Sequence, residues 1–436
     1  MSGRLDWRSG PAGPLQGSVR VPGDKSVSHR SLMLSALADG TSRIRGFLEG
    51  EDTRATAAVL AQLGVRIETP TDGERIVHGV GLHGLRGCHE ALDCGNAGTG
   101  MRLLAGLLAG QAFDSILVGD ASLSKRPMRR VTDPLAAMGA WIDTHDGLPP
   151  LHVHGGLHLR GIRYELPVAS AQVKSALLLA GLYAEGETEV IEPHPTRDYT
   201  ERMLAAFGWP IAYEPGWARL SGGHVLHATD VDVPADFSSA AFFLVAASIV
   251  PGSELCLPAV GLNPRRTGLL EALRLMGADI RVENKRSSGG EVVGDLRVRH
   301  APLHGVEFPE ALVPDMIDEF PVLFVAAAVA EGRSVIRGAA ELRVKESDRL
   351  ATMATGLRAL GARIEETPDG AVIDGGRLGG GTVASLTDHR IAMSFAVAGL
   401  VAHAPVRIDD CRHVATSFPG FMALANGCGF ALGVAD

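Results

Sequence analysis

Aromatic residues make up only 5% of this 436-residue chain, so its core must be filled by Ala, Leu and Val, which suits closely packed helices and strands. Cysteine is scarce and scattered: Cys88, Cys94, Cys256, Cys411 and Cys428 include no Cys-x-x-Cys pair. An odd number without that spacing argues against a disulfide framework or a structural zinc site and fits reduced thiols. Positive charge is not in excess either. With a net charge of -9 at pH 7 the chain lacks the basic field that a phosphate backbone requires, so no nucleic-acid partner is expected. The longest apolar runs, 240–251 and 320–330, are about half a membrane span and read as buried helices. The opening MSGRLDWRSGPAGPLQG has no apolar stretch of signal-peptide length. A cytoplasmic protein with no membrane contact is the expectation.

Glycine, by contrast, is plentiful at 54 residues, and part of it is placed with a period. A Leu/Met/Ala run, then Gly, then an alternating apolar stretch appears at Gly64, Gly139, Gly208, Gly277 and Gly361, and more weakly at Gly429. Glycine after the last helical turn supplies a left-handed cap, and the alternation that follows is strand-like. The period of about 70 residues is too long for the common solenoids. It predicts six α/β units arranged compactly, three to a domain. The halfway point falls where VDVPADFSSAAFF passes from strand through Pro234 into a helix, with Asp236 and Ser238 as helix-start residues. Residues 21–234 are therefore expected to form one domain, and 1–20 with 235–436 the other, crossing near 20–23 and 233–236. A first strand is expected over GSVRVPG, residues 17–23.

Several helix starts carry cations and hydroxyls. PGDKSVSHR places Lys25, Ser26, Ser28, His29 and Arg30 at the head of an apolar helix, where backbone N–H groups and the dipole favour an anion. The phosphate-loop spacing of nucleotide hydrolases is missing, so GDKS is an anion site of another kind or a capped helix with solvated charge. GNAGTGMR offers Gly95, Asn96, Gly98, Thr99, Gly100 and Arg102, and reads either as a close backbone approach to a ligand or as a tight turn. GDASLSKRPMRR clusters Lys125, Arg126, Arg129 and Arg130, a composition suited to carboxylate or phosphate. Its Ser122 to Lys125 spacing matches serine acyl enzymes, whose companion motifs are missing. SAQVKSALLLAG (Ser170, Ala171, Gln172, Lys174, Ser175) and TRDYTERM (Arg197, Asp198, Tyr199) by themselves read as capping signals.

The second half supplies VPDMIDEFP (Asp315, Asp318, Glu319), ELRVKESDRL (Lys345, Glu346, Asp348, Arg349) and DHRIAMSF (Asp388, His389, Arg390). Acidic residues ahead of a helix ordinarily serve its dipole. Glu346 beside Lys345 can instead be a tuned acid or base. His152, His154 and His158 alternate along one strand face without a carboxylate trio close in sequence, and no metal is expected there.

Taken in order from Pro22 to Pro419, these motifs resemble the 5-enolpyruvylshikimate-3-phosphate synthase family. The resemblance implies an α/β fold of two domains, an inside-out α/β barrel of three βαβαββ units each, with the active site in the interdomain cleft. It implies transfer of the enolpyruvyl group of phosphoenolpyruvate to the 5-hydroxyl of shikimate-3-phosphate in the chorismate route to aromatic amino acids, without a cofactor, by a monomer. Lys25, Ser26, Arg30, Ser170, Ala171, Gln172, Arg197, Asp315 and Lys345 would then bind shikimate-3-phosphate. Lys25, Gly98, Arg126, Gln172, Arg349 and Arg390 would bind phosphoenolpyruvate, with Asp315, Glu346 and Lys25 catalytic. The family's inhibitor glyphosate would share the phosphoenolpyruvate site, and the absence of a Cβ at Gly98 favours its fit. Three departures stand out: Tyr199 for His, Arg265 for Thr, and Thr416 where some members carry Lys. The same fold could instead serve a UDP-amino-sugar acceptor, or a non-catalytic anion-binding scaffold.

Overall fold

A computed structural model describes residues 5–288 and 291–435. They fall into two compact units, one built on Gly23–Pro234 and the other on the chain up to Pro22 together with Ala235–Arg286 and the chain from Val292 onward. Each unit has its own hydrophobic core and three sheets.

One pattern runs through all six sheets. In the Gly23–Pro234 unit the first is ordered Val231–Asp232, Asp39–Arg45, Glu74–Val80, Arg66–Glu68. Its first pair is parallel and the next two antiparallel. The same sequence of pairings recurs in the sheet Leu92–Asp93, Ser115–Val118, Leu148–His154, Trp141–His145. It recurs again in Arg163–Glu165, Glu187–Ile191, Trp217–Ser221, Ile211–Glu214. In the other unit, Gly381–Ala384, Val406–Asp409, Trp7–Gly10 and Ala431–Val434 repeat it, the third strand being drawn from the opposite end of the sequence. Gln16–Ser18, Glu254–Gly261, Glu291–Arg299 and Asp279–Ser288 form another copy. The last copy, Arg333–Ile336, Gly370–Asp374 and Arg363–Thr367, has three strands, its parallel partner reduced to a bridge between Glu307 and Val335. The strand expected over 17–23 is shorter than the alternation suggested. Gln16–Ser18 is an edge strand with one neighbour, and although Val19 N–H still donates to Cys256 O at 2.8 Å, the chain then leaves the sheet ahead of Pro22, which has no N–H to donate.

The six glycines that mark the period all have positive φ, from +82° at Gly208 to +114° at Gly429. Each follows a helix that buries one face, and each precedes the outer strand of its sheet. A second set of helices is buried nearly all round: every residue of Phe237–Ile249 is buried, all but the last of Phe320–Val329, and all but the first two of Lys25–Leu37. A polar side chain inside such a helix needs a buried partner, whereas one at its end can face outward. Their N-termini carry Lys25 and Ser26, Gly98, Ala171 and Gln172, and His389 and Arg390.

Candidate active site

In the Gly23–Pro234 unit three buried helices are tied together near their first turns. Asp24 caps Lys25–Leu37 by accepting from Val27 N at 2.9 Å, while Lys25 Nζ lies 3.0 Å from Asp52 Oδ2. Arg30, buried, donates to Thr200 Oγ1 at 2.7 Å, to Ser175 Oγ at 2.8 Å and to the Ser26 carbonyl at 2.9 Å. Those bonds fix one guanidinium against two neighbouring helices, Ala171–Gly181 and Tyr199–Ala206. Arg102 Nη1 donates to Gln172 Oε1 at 2.7 Å, and Gln172 Nε2 donates to Thr99 Oγ1 at 2.8 Å, which orients the Gln172 amide against the glycine-rich turn. Arg126 donates to Asn96 Oδ1 and, at 3.3 Å, to Ser122 Oγ. Asn96 is itself held by Asp120 Oδ2 at 2.7 Å.

Gly98 opens its helix directly beneath these arginines. A Cβ built there would lie 2.8 Å from Arg126 Nη1 and 3.3 Å from Arg102 Nη1, so the missing side chain is what lets the two guanidinium groups lie over the helix start. Ser170 caps Ala171–Gly181 through Val173 N. Lys174, one turn on, points away into a buried ion cluster with Glu192 Oε2 at 2.7 Å and Glu201 Oε1 at 2.8 Å, and so belongs to the scaffold. His29 is fully buried with Nδ1 2.8 Å from Thr56 Oγ1. Desolvation, then the neighbouring charges of Lys25 and Arg30, drive its pKa down to about 3, so it stays neutral between them.

In the other unit the carboxylates do more than serve helix dipoles. Asp388 and Asp348 do cap their helices, accepting from Arg390 N at 2.9 Å and Ala351 N at 3.0 Å. Asp388 also takes Arg349 Nε at 2.8 Å, and Glu346 Oε2 takes Arg349 Nη2 at 2.7 Å, so a guanidinium that is only 1% exposed is clamped from two sides. Arg349 is held firmly charged by Asp388 and Glu346 despite its burial. Glu319 stands at a helix start but makes no capping bond. Its carboxylate bonds the Ser238 hydroxyl and pairs with Arg266 Nη1 at 3.2 Å, while Arg390 Nη1 donates to the Asp318 carbonyl at 3.1 Å. Burial raises the Glu319 pKa. Arg266, which was not among the expected site residues, links Asp236, Asp318 and Glu319 as the hub of this network. Only the tertiary fold brings Arg266 and Asp236 to the Asp318–Glu319 pair. Lys345 Nζ pairs with Glu341 at 3.1 Å.

The departures in sequence acquire structural roles. Tyr199 is buried, donates to Asp24 Oδ2 at 3.1 Å and presents its ring 6.0 Å from the Arg30 guanidinium. Arg265 Nη1 lies 3.2 Å from Asp315 Oδ2, the carboxylate expected to act as base. Thr416 is buried and donates to the His413 carbonyl at 2.7 Å. Of the histidine triplet, His152 and His154 share one strand face as expected, and carboxylates accompany them after all: Asp114 and Asp143 arrive from flanking strands.

Known proteins place this arrangement. The family model for EPSP synthase (3-phosphoshikimate 1-carboxyvinyltransferase) matches residues 10–424. A 3-phosphoshikimate 1-carboxyvinyltransferase of Xanthomonas euvesicatoria pv. vesicatoria is 70% identical over 98% of this chain and 97% of its own. One from Xanthomonas oryzae pv. oryzae is 69% identical over 99% and 98%. The solved EPSP synthase of Acinetobacter baumannii superposes with a TM-score of 0.89 at 52% identity, covering 99% of this chain and 100% of that one. With the family model matched over residues 10–424 and a relative 70% identical over nearly the whole length of both chains, the chain belongs to the EPSP synthase family.

Proposed function

We propose that this chain transfers the enolpyruvyl group of phosphoenolpyruvate to the 5-hydroxyl of shikimate-3-phosphate and releases phosphate, a step toward chorismate and the aromatic amino acids. The observation that carries this reading is the identity of 70% over 98% of the chain to relatives bearing that activity in their name. Two clamped cationic sets add support. In this reading the phosphorylated sugar is held by Lys25, Ser26, Arg30, Ser170, Ala171, Gln172, Arg197, Asp315 and Lys345. Phosphoenolpyruvate is held by Lys25, Gly98, Arg126, Gln172, Arg349 and Arg390. Neither substrate needs a metal or an organic cofactor, since guanidinium and ammonium groups supply the counter-charge. We read the protein as a cytoplasmic monomer; among the described residues no helix is long and apolar enough to cross a membrane.

The chemistry follows from those roles. A proton delivered to the methylene carbon of phosphoenolpyruvate leaves positive charge on the adjacent carbon. The 5-hydroxyl attacks that carbon, giving its proton to Asp315, and a carbon–oxygen bond forms. Loss of phosphate with return of a methyl proton regenerates the double bond. Glu346 and Lys25 are the proton carriers. Pre-set arginines supply orientation and charge stabilisation without reorganising during the reaction. The test is Asp315→Asn: ligand affinities should stay within about tenfold while turnover falls at least ~10²-fold. Near-normal turnover would assign the proton to another group.

A further inference from the structure

Away from every residue given a role above, the sheet around Leu148–His154 carries a second cluster of ligating groups. Strand alternation puts Leu151 and Val153 inward and His152 and His154 on the outer face. The antiparallel register pairs Ser115 with Val153, so Asp114, one residue earlier, lies across from His154. On the other side Trp141 pairs with His154 and Asp143 with His152. The outcome is a trio whose ligand atoms all lie within 4.8 Å of one another: one carboxylate oxygen of Asp114, and one ring nitrogen from each of His152 and His154. Asp114 Oδ2 is 3.9 Å from His152 Nε2 and 3.8 Å from His154 Nδ1.

Four contacts orient Asp114 and His154. Asp114 Oδ1 accepts from Gly155 N at 2.9 Å, which leaves Oδ2 facing the rings. His154 Nε2 lies 2.8 Å from Asp143 Oδ2, and Asp143 Oδ1 accepts from Trp141 Nε1 at 3.0 Å. The Trp141 ring stacks on the His154 ring at 4.1 Å between centroids. A carboxylate on Nε2 favours the tautomer with the proton there, which turns the Nδ1 lone pair toward Asp114. Two acceptors then face each other across 3.8 Å, too far to share a hydrogen bond and suited to a cation between them. Ligands about 2.0–2.2 Å from one ion stand roughly 3 to 3.5 Å apart, so rotation of these partly exposed side chains by less than about 1 Å closes the site.

We propose that Asp114, His152 and His154 form a surface site for a divalent transition cation of the zinc class, with Asp143 and Trp141 as its orienting shell. Two imidazoles and one carboxylate are ligands of borderline hardness, which selects zinc, nickel or copper over magnesium and calcium. A fourth position is left to water. Such an ion would join Asp114, at the start of one strand, to two residues of its neighbour and would stabilise the sheet by mass action.

The test is equilibrium dialysis of the full-length protein against zinc chloride, with Ni²⁺ quenching of tryptophan fluorescence as a second readout. One zinc should bind per chain in the micromolar range. His152→Ala and His154→Ala should each weaken it at least about tenfold, His158→Ala should not, and phosphate release from phosphoenolpyruvate should be unchanged. Quenching should disappear in Trp141→Phe. Should a histidine variant fail to fold, Asp114→Asn keeps the side-chain size and gives the same answer. Absence of zinc binding below about 1 mM, or equal binding in the His152→Ala/His154→Ala double variant, overturns the proposal.

Discussion

Gly98 shows how one hydrogen atom in place of a methyl governs a site. Its backbone is in no unusual region, so Gly98→Ala costs nothing locally; the added Cβ meets the Arg126 guanidinium at 2.8 Å and pushes it away from the helix start. Because Arg126 is proposed to clamp phosphoenolpyruvate, its Michaelis constant should rise severalfold. Glyphosate, the longer molecule, should lose roughly 1–3 kcal/mol by overpacking, or about 5- to 150-fold. Inhibition constants measured against phosphoenolpyruvate check this, and an unchanged ratio of the two ligands removes the steric argument. Arg349 calls for a milder probe than Arg126. Deleting it would take the ionic partner from Asp388, which is fully buried, at a cost of about 3–5 kcal/mol, so Arg349→Lys is the informative change. Individual cations such as Lys25 and Arg30 were legible in the sequence because they share a short segment with a helix start. Arg266 was not, since its three carboxylate partners come from segments about 30 to 50 residues distant.

At the scale of elements, the helix ends were the most legible feature, because a glycine cap is a local requirement that leaves a local signature. Gly361 isolates that requirement: its φ is +86° and nothing lies within 4 Å of the place a Cβ would occupy. Gly361→Ala should therefore cost about 1–2 kcal/mol from backbone strain alone, and Gly361→Asn less. Urea unfolding measures both; equal stabilities would mean that the left-handed cap is not under strain. Asp24 sets the opposite end of a helix, with one oxygen on Val27 N and the other on the Tyr199 hydroxyl. Asp24→Ala should lose about 0.5–2 kcal/mol through the cap, and Tyr199→Phe about 1 kcal/mol through its hydrogen bond. Strand pairing was far less legible. Trp7–Gly10 joins a sheet with Val406–Asp409 and Ala431–Val434, and no local pattern announces a partner some 400 residues away.

For the molecule as a whole, the buried neutral His29 makes a prediction about acid stability. Its folded pKa is about 3 against an ordinary value of 6.5, so between those limits the unfolded chain holds the extra proton and stability falls as pH falls. One such proton contributes a slope of up to about 1.4 kcal/mol per pH unit. Urea unfolding from pH 6.5 to 4 should show a steeper loss for the native sequence than for His29→Asn, and parallel curves would contradict a buried neutral imidazole. The sixfold α/β repeat was readable from glycine spacing, whereas the circular closure that recruits both chain ends into shared sheets needed the fold. The reaction itself is decided by supplying phosphoenolpyruvate with either of two acceptors and no added metal, then measuring phosphate release and product mass. Shikimate-3-phosphate should give stoichiometric phosphate and an enolpyruvyl adduct, and a UDP-amino sugar neither; no release with shikimate-3-phosphate, or turnover of the UDP-amino sugar, would overturn the proposed reaction.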